Sequence, residues 1–112
     1  MFEGKKCLVV GSGISGIAAV RLLEELGAKV TIYDSNEKLS EEELQKKLPE
    51  ESSAVCVTGA VEKLGLEDDG RIRETLDYLV LSPGVPTDLS WINRVREAGI
   101  PVLGEIELGF LQ

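Results

Sequence analysis

Three glycines in the run KCLVVGSGISG, residues 6–16, carry the clearest chemical meaning in this chain. Gly11, Gly13 and Gly16 form the pattern G-x-G-x-x-G, which suits a turn that cradles phosphate. Gly11 permits a tight turn, and Gly13 lets backbone approach a pyrophosphate that a Cβ would push away. Gly16 allows the following helix to pack closely on its strand. The anion then lies at a helix N-terminus, where unpaired N–H groups and about half a positive charge await it. Asp34 is the second chemical residue. It stands roughly twenty residues beyond the turn, where a dinucleotide site needs an acceptor for a ribose hydroxyl. Followed by Ser35 and Asn36, the same aspartate also reads as ordinary turn chemistry. A third feature is Ser82-Pro83-Gly84: proline stiffens a turn there, and glycine presents bare backbone at the end of an apolar run. A plain strand-to-helix loop is the competing reading of that tripeptide.

These residues need elements to hold them. Cys7-Leu8-Val9-Val10 is the short apolar run of a buried parallel strand, and residues 14–26 carry Ile17, Val20 and Leu23 at helical spacing. Gly27 is placed to end that helix. Residues 29–33 are rich in β-formers and deliver Asp34 to the carboxyl end of a second strand. Ser40-Glu41-Glu42-Glu43 reads as a capping box opening a charged helix through Leu48, stopped by Pro49. Residues 54–58 form a third strand, 59–66 a loop or short helical turn, and 67–70 an acidic surface break. Residues 78–81 form a fourth strand that ends at the Ser82 turn. Residues 89–98 form a helix with Leu89, Ile92 and Val95 inward, Trp91 partly exposed and Gly99 at its end. Residues 100–103 form a fifth strand, and an amphipathic helix begins at residues 104–111. Alternating β and α predicts a Rossmann-like α/β fold: an open parallel sheet of about five strands, right-handed crossovers and helices on both faces.

Composition narrows the function. The 112 residues suffice for one domain with a real core, and 43% hydrophobic content fits a globular chain. A net charge of −8 argues against a nucleic-acid partner, which would want a basic face. It leaves a phosphorylated small molecule open, since backbone amides supply a local anion site on an acidic protein. No histidine is present, so no histidine base or metal ligand exists within these residues. Cys7 and Cys56 fall in what read as inner strands, as reduced, buried hydrophobes of a cytoplasmic protein. No apolar run reaches eighteen residues and no secretory leader is evident. On the residues alone, an NAD(H)-binding domain of a dehydrogenase or of a regulatory module is a natural reading.

Four stretches together change that reading. VVGSGISGIAAVRLL, IYDSN at 32–36, LSPGVP at 81–86 and GIPVLGEIEL at 99–108 resemble the N-terminal domain of the D-glutamate-adding branch of the Mur ligase family. The resemblance covers nearly the whole chain and is most specific at the SPG turn and the GEIEL run. It implies that residues 1–104 bind the uridine diphosphate of UDP-N-acetylmuramoyl-L-alanine in a peptidoglycan-precursor pathway. Residues 105–112 would then start a helix or linker toward an ATP-binding domain. It also implies that Ile14, Ser15 and Gly16 lie against the diphosphate, that Asp34 and Ser35 face the uracil, and that Gly84 lies near the sugar, beside Ser82 and Pro83. Where the family can place a basic side chain over the base, this chain has Asn36. ATP, Mg²⁺ and D-glutamate would serve the full-length ligase, with no cofactor and no catalytic or metal-binding residue here. The ATP-binding pattern G-x-x-x-x-G-K-[ST] is missing from these residues, so the domain is expected to be inactive alone. A sibling ligase adding another amino acid would read the same way over this stretch.

Overall fold

A computed structural model describes residues 2–66 and 72–104. Its parallel sheet is built from β1 (Lys6–Val10), β2 (Lys29–Asp34), β3 (Val55–Thr58), β4 (Tyr78–Leu81) and β5 (Val102–Gly104). The helices are α1 (Ile14–Glu25), α2 (Glu41–Lys46), α3 (Ile72–Thr75) and α4 (Ser90–Glu97), with a 3-10 turn at Val61–Leu64. The strand order is β3-β2-β1-β4-β5, and every pairing is parallel. This is the doubly wound α/β arrangement the alternating pattern predicts.

Strand alternation divides the core between two faces. Cys7 and Val9 of β1 join Val30 and Ile32 of β2 under Ala19, Val20 and Leu23 of α1 and Leu44 of α2. Leu8 and Val10 point the other way, packing with Leu79 and Leu81 of β4 against Ile72, Trp91, Ile92 and Val95. Helices therefore cover both faces, which is why the central strands read as unbroken apolar runs. Among the described residues no helix is long and apolar enough to cross a membrane.

The helix ends follow the sequence closely. Gly27 and Gly99 have φ of +85° and +87°, the left-handed conformation that closes α1 and α4. Ser40 and Glu43 form the expected capping box: the Ser40 hydroxyl accepts from the Glu43 N–H, and the Glu43 carboxylate accepts from the Ser40 N–H. α2 stops at Lys46, two residues before Leu48, which nevertheless stays buried.

Four expectations are corrected. Leu89 is not inward: it is the extended N-cap of α4 and 38% exposed, while Ile92 and Val95 fill the core. Trp91 is buried, because its ring stacks edge-on against Tyr33 with centroids 6.0 Å apart. Cys56 lies on β3, an edge strand, and is only half-buried. The fifth strand starts at Val102, since Gly99 turns the chain and Pro101 has no N–H to give the ladder. Both cysteines are free; burial, then the nearby Asp77 charge, pushes the Cys7 thiol up to about 11. The acidic break at 67–70 and the helix or linker expected at 105–112 lie outside the described residues.

Candidate functional site

β1 and β4 lie side by side, with Val10 opposite Leu81 at their carboxyl ends. From there α1 descends on one face and α4 on the other, so a crevice opens between the two departing loops. In open parallel sheets such a switch point is where ligands bind.

The three glycines occupy the β1 side of this crevice for three different reasons. Gly11 donates to the Tyr33 carbonyl at 2.7 Å and has φ +99°, which a side chain rarely adopts. A Cβ there would also lie 2.9 Å from both Cβ and Oγ of Ser82. Gly16 is required by contact: a Cβ would come within 1.9 Å of the Gly11 carbonyl oxygen. Its tight neighbour is thus the turn itself, where the sequence suggested the strand. Gly13 is the extended N-cap of α1, with φ −73° and ψ −173°, and a Cβ would meet nothing within 4 Å. Space, and not strain, is what glycine provides at that position.

α1 begins in a state suited to an anion. No side chain caps it, and its first turn of Ile14, Ser15 and Gly16 holds no acid. The first intrahelical bond runs from the Ile17 N–H to the Gly13 carbonyl at 3.0 Å, so the amides of residues 14–16 precede the ladder. α2 is the opposite case, with three glutamates in its first turn and a complete capping box. Ile14, at the head of α1, is 93% exposed.

Asp34 reaches the same edge from β2 and fastens the turn through Ser12. Its Oδ2 accepts from the Ser12 hydroxyl and, at 3.2 Å, from the Ser12 N–H, while Oδ1 accepts from the Asn36 N–H at 2.9 Å. Burial raises the Asp34 pKa, yet these hydrogen bonds and the Lys47 charge outweigh it and hold the carboxyl below its ordinary value. Ser12 is buried and Lys47 exposed; the Lys47 ammonium lies 3.4 Å from the Ser12 hydroxyl and 3.5 Å from its carbonyl. Sequence reasoning missed both residues. The x positions of G-x-G-x-x-G carry no identity signal, and Lys47 is 35 residues from its partner.

On the β4 side, the Ser82 N–H bonds the Val10 carbonyl at 3.1 Å, and its hydroxyl donates to the Gly11 carbonyl at 3.4 Å. The turn closes with the Val85 N–H on the Ser82 carbonyl at 3.0 Å. Pro83 and Gly84 stand exposed beyond it, and a Cβ on Gly84 would meet nothing within 4 Å. The structure thus gathers Gly11, Gly13, Ile14, Ser15, Gly16 and Ser82 around the crevice, with Asp34 joined to them by Ser12. Ser35 and Asn36 are exposed on the loop after β2, where Asn36 Oδ1 accepts from the Lys38 N–H at 3.0 Å.

An open groove of about 530 Å³ runs beside the turn, lined by Ser12, Gly13, Ile14, Ile17, Ala18, Arg21 and Lys47. A second cavity, near 290 Å³, lies at the amino edge of the sheet beside Lys6, Lys29 and Leu76, away from this chemistry. Among the described residues no three His, Cys, Asp or Glu side chains gather as a metal site.

Known proteins share both the fold and the sequence. The chain resembles a probable oxidoreductase from Mycobacterium abscessus over 99% of its own length and 38% of that protein's, with TM-score 0.58 and 17% identity. Shikimate dehydrogenase from Aquifex aeolicus matches 95% of this chain and 44% of its own, with TM-score 0.53 and 18% identity. At such identities the likeness concerns the fold alone. Closer in sequence is the UDP-N-acetylmuramoylalanine--D-glutamate ligase of Lachnoclostridium phytofermentans, 45% identical over 109 residues, 97% of this chain and 22% of the relative. The enzyme of that name from Lachnospira eligens is 43% identical over 108 residues, again 22% of its length. The chain therefore spans about a fifth of the curated relatives it matches. The family model described as "Mur ligase MurD-like, N-terminal domain" matches residues 5–104. On that match and those identities, the chain belongs to the MurD-like N-terminal domain family of the Mur ligases.

Proposed function

We propose that this domain holds the uridine diphosphate end of UDP-N-acetylmuramoyl-L-alanine for an ATP-dependent ligase that adds D-glutamate in peptidoglycan-precursor synthesis. The observation that carries the reading is the start of α1. Its amides face a switch-point crevice, no acid or side-chain cap competes for them, and Gly13 leaves room above. In this reading the N–H groups of Ile14, Ser15 and Gly16 bind the diphosphate. Asp34 and Ser35 face the uracil with Asn36 beside them, and Ser82, Pro83 and Gly84 border the sugar.

Asp34 has the capacity its role needs. Oδ2 already receives two donors and Oδ1 one, so Oδ1 keeps a lone pair for the N–H of a base. Its lowered pKa keeps it an ionised acceptor at neutral pH. Activation of the substrate carboxylate with ATP and Mg²⁺, and capture of D-glutamate, belong to the remainder of a cytoplasmic ligase. These residues contain no G-x-x-x-x-G-K-[ST], and we take the domain to be inactive by itself.

Calorimetric titration with UDP-N-acetylmuramoyl-L-alanine and separately with NADH tests the proposal. Saturable binding of the uridine compound, competed by UDP, is expected. Saturable NADH binding with no response to the uridine compound overturns it in favour of a dehydrogenase-type cofactor site.

A further inference from the structure

The carboxyl edge has an unbalanced charge once a diphosphate is placed on it. Asp34 is ionised and bonded to the residue just before Gly13, so the cradle and a carboxylate share one short stretch of chain. Like charges brought together in a partly buried site repel unless a cation is held among them.

Lys47 is in position to be that cation. It is the C-cap of α2, so the capping box that fixes α2 also fixes where its side chain departs. From there the ammonium reaches across the turn to Ser12, at 3.4 and 3.5 Å, and walls the groove that opens over Gly13 and Ile14. Both contacts are long and go to neutral oxygens, whereas an ammonium has three donors and bonds charged oxygens more strongly. The groove's other cation, Arg21, lies seven residues along α1 from Ile14, roughly 10 Å away at 1.5 Å per residue.

We propose that Lys47 is a ligand-binding residue of the anion site: its ammonium pairs with a phosphate oxygen of the nucleoside diphosphate from its place beside Ser12, next to the Asp34 carboxylate. The proposal rests on the reading of the site given above. It adds a charged side chain from α2 to a cradle otherwise made of backbone amides.

The test titrates the 112-residue chain and three variants with UDP-N-acetylmuramoyl-L-alanine at low and high KCl, and records their melting temperatures. Lys47→Gln is expected to bind about tenfold more weakly, the loss of one charge-assisted hydrogen bond. Its affinity should also depend less on salt, because one screened charge pair has gone. Lys47→Arg should keep most of the affinity. Arg21→Gln, which changes net charge equally, should behave as wild type. Unchanged affinity in Lys47→Gln, or an equal loss in Arg21→Gln, overturns the role of Lys47 while leaving the uridine diphosphate site intact. A variant that loses affinity and melting temperature together, with the wild-type salt dependence, makes Lys47 a structural prop and also overturns it. Absence of binding by the wild-type chain removes the reading of the site, and this proposal with it.

Discussion

Asp34 and Lys47 place opposite charges on either side of Ser12, and that small network is where acid should act first. The native Asp34 pKa lies below its ordinary value, so its contribution is complete above the unfolded-state pKa near 4 and disappears as pH falls through the lowered native value. Asp34→Asn is therefore expected to be less stable than wild type at pH 7, with the gap in melting temperature closing below about pH 4. The glycines give a second contrast. Gly16→Ala forces a Cβ to within 1.9 Å of a backbone oxygen and should cost about 2–3 kcal/mol or more in urea unfolding. At Gly13 an added Cβ meets nothing within 4 Å and the backbone needs no unusual φ, so Gly13→Val is the contrasting case. It should cost about 1 kcal/mol or less, as a poorer N-cap, yet abolish binding of the uridine ligand in titration. The need for glycine at 11 and 16, and the arrival of Asp34 at the carboxyl end of β2, were legible in the sequence, because a tight turn and the length of a βαβ unit set them; the contacts Gly16 and Asp34 make were not. Ser12 was not: a serine between two glycines looks like filler until its hydroxyl is found on Asp34.

Among the elements, α2 does more than cover the sheet. It carries no candidate ligand group along its length, but its last turn delivers Lys47 to the glycine turn. Removing its cap by Ser40→Ala should cost about 1 kcal/mol in urea unfolding, with an unchanged denaturant slope. The cap was readable because Ser-x-x-Glu acts within four residues. The start of α4 was not readable to the residue, since Leu89 satisfies the apolar spacing of an inward position. The loop ahead of the helix decides the matter instead. The Asn93 side chain donates to the Asp88 carbonyl at 3.3 Å and Arg96 to the Thr87 carbonyl at 2.6 Å, tying that loop to the helix and leaving Leu89 outside. The inter-residue distances that settle such cases are spatial, and no periodicity encodes them.

At the scale of the molecule, two apolar layers share one sheet, and the single tryptophan sits in only one of them. Trp91 should emit as a buried indole, and its shift on urea unfolding should coincide with loss of far-UV circular dichroism if both layers melt as one unit. The parallel sheet with helices on both faces was legible, because strands alternating with helices require right-handed crossovers, whereas the order β3-β2-β1-β4-β5 was not. Which strands became edges was less so, as Cys56 shows: an edge strand whose inner face is covered carries much the same residues as a central one. The same topology sets how a ligand arrives. Ser82 stands against Gly11 across the crevice, its hydroxyl on the Gly11 carbonyl and its Cβ where a Gly11 side chain would go. The two lips are thus joined directly, by the Ser82 N–H on the Val10 carbonyl as well as by that hydroxyl, and the cradle stands formed without their parting or closing. Association in stopped flow should then follow one exponential whose rate rises linearly with ligand concentration, without the plateau that a slow rearrangement imposes.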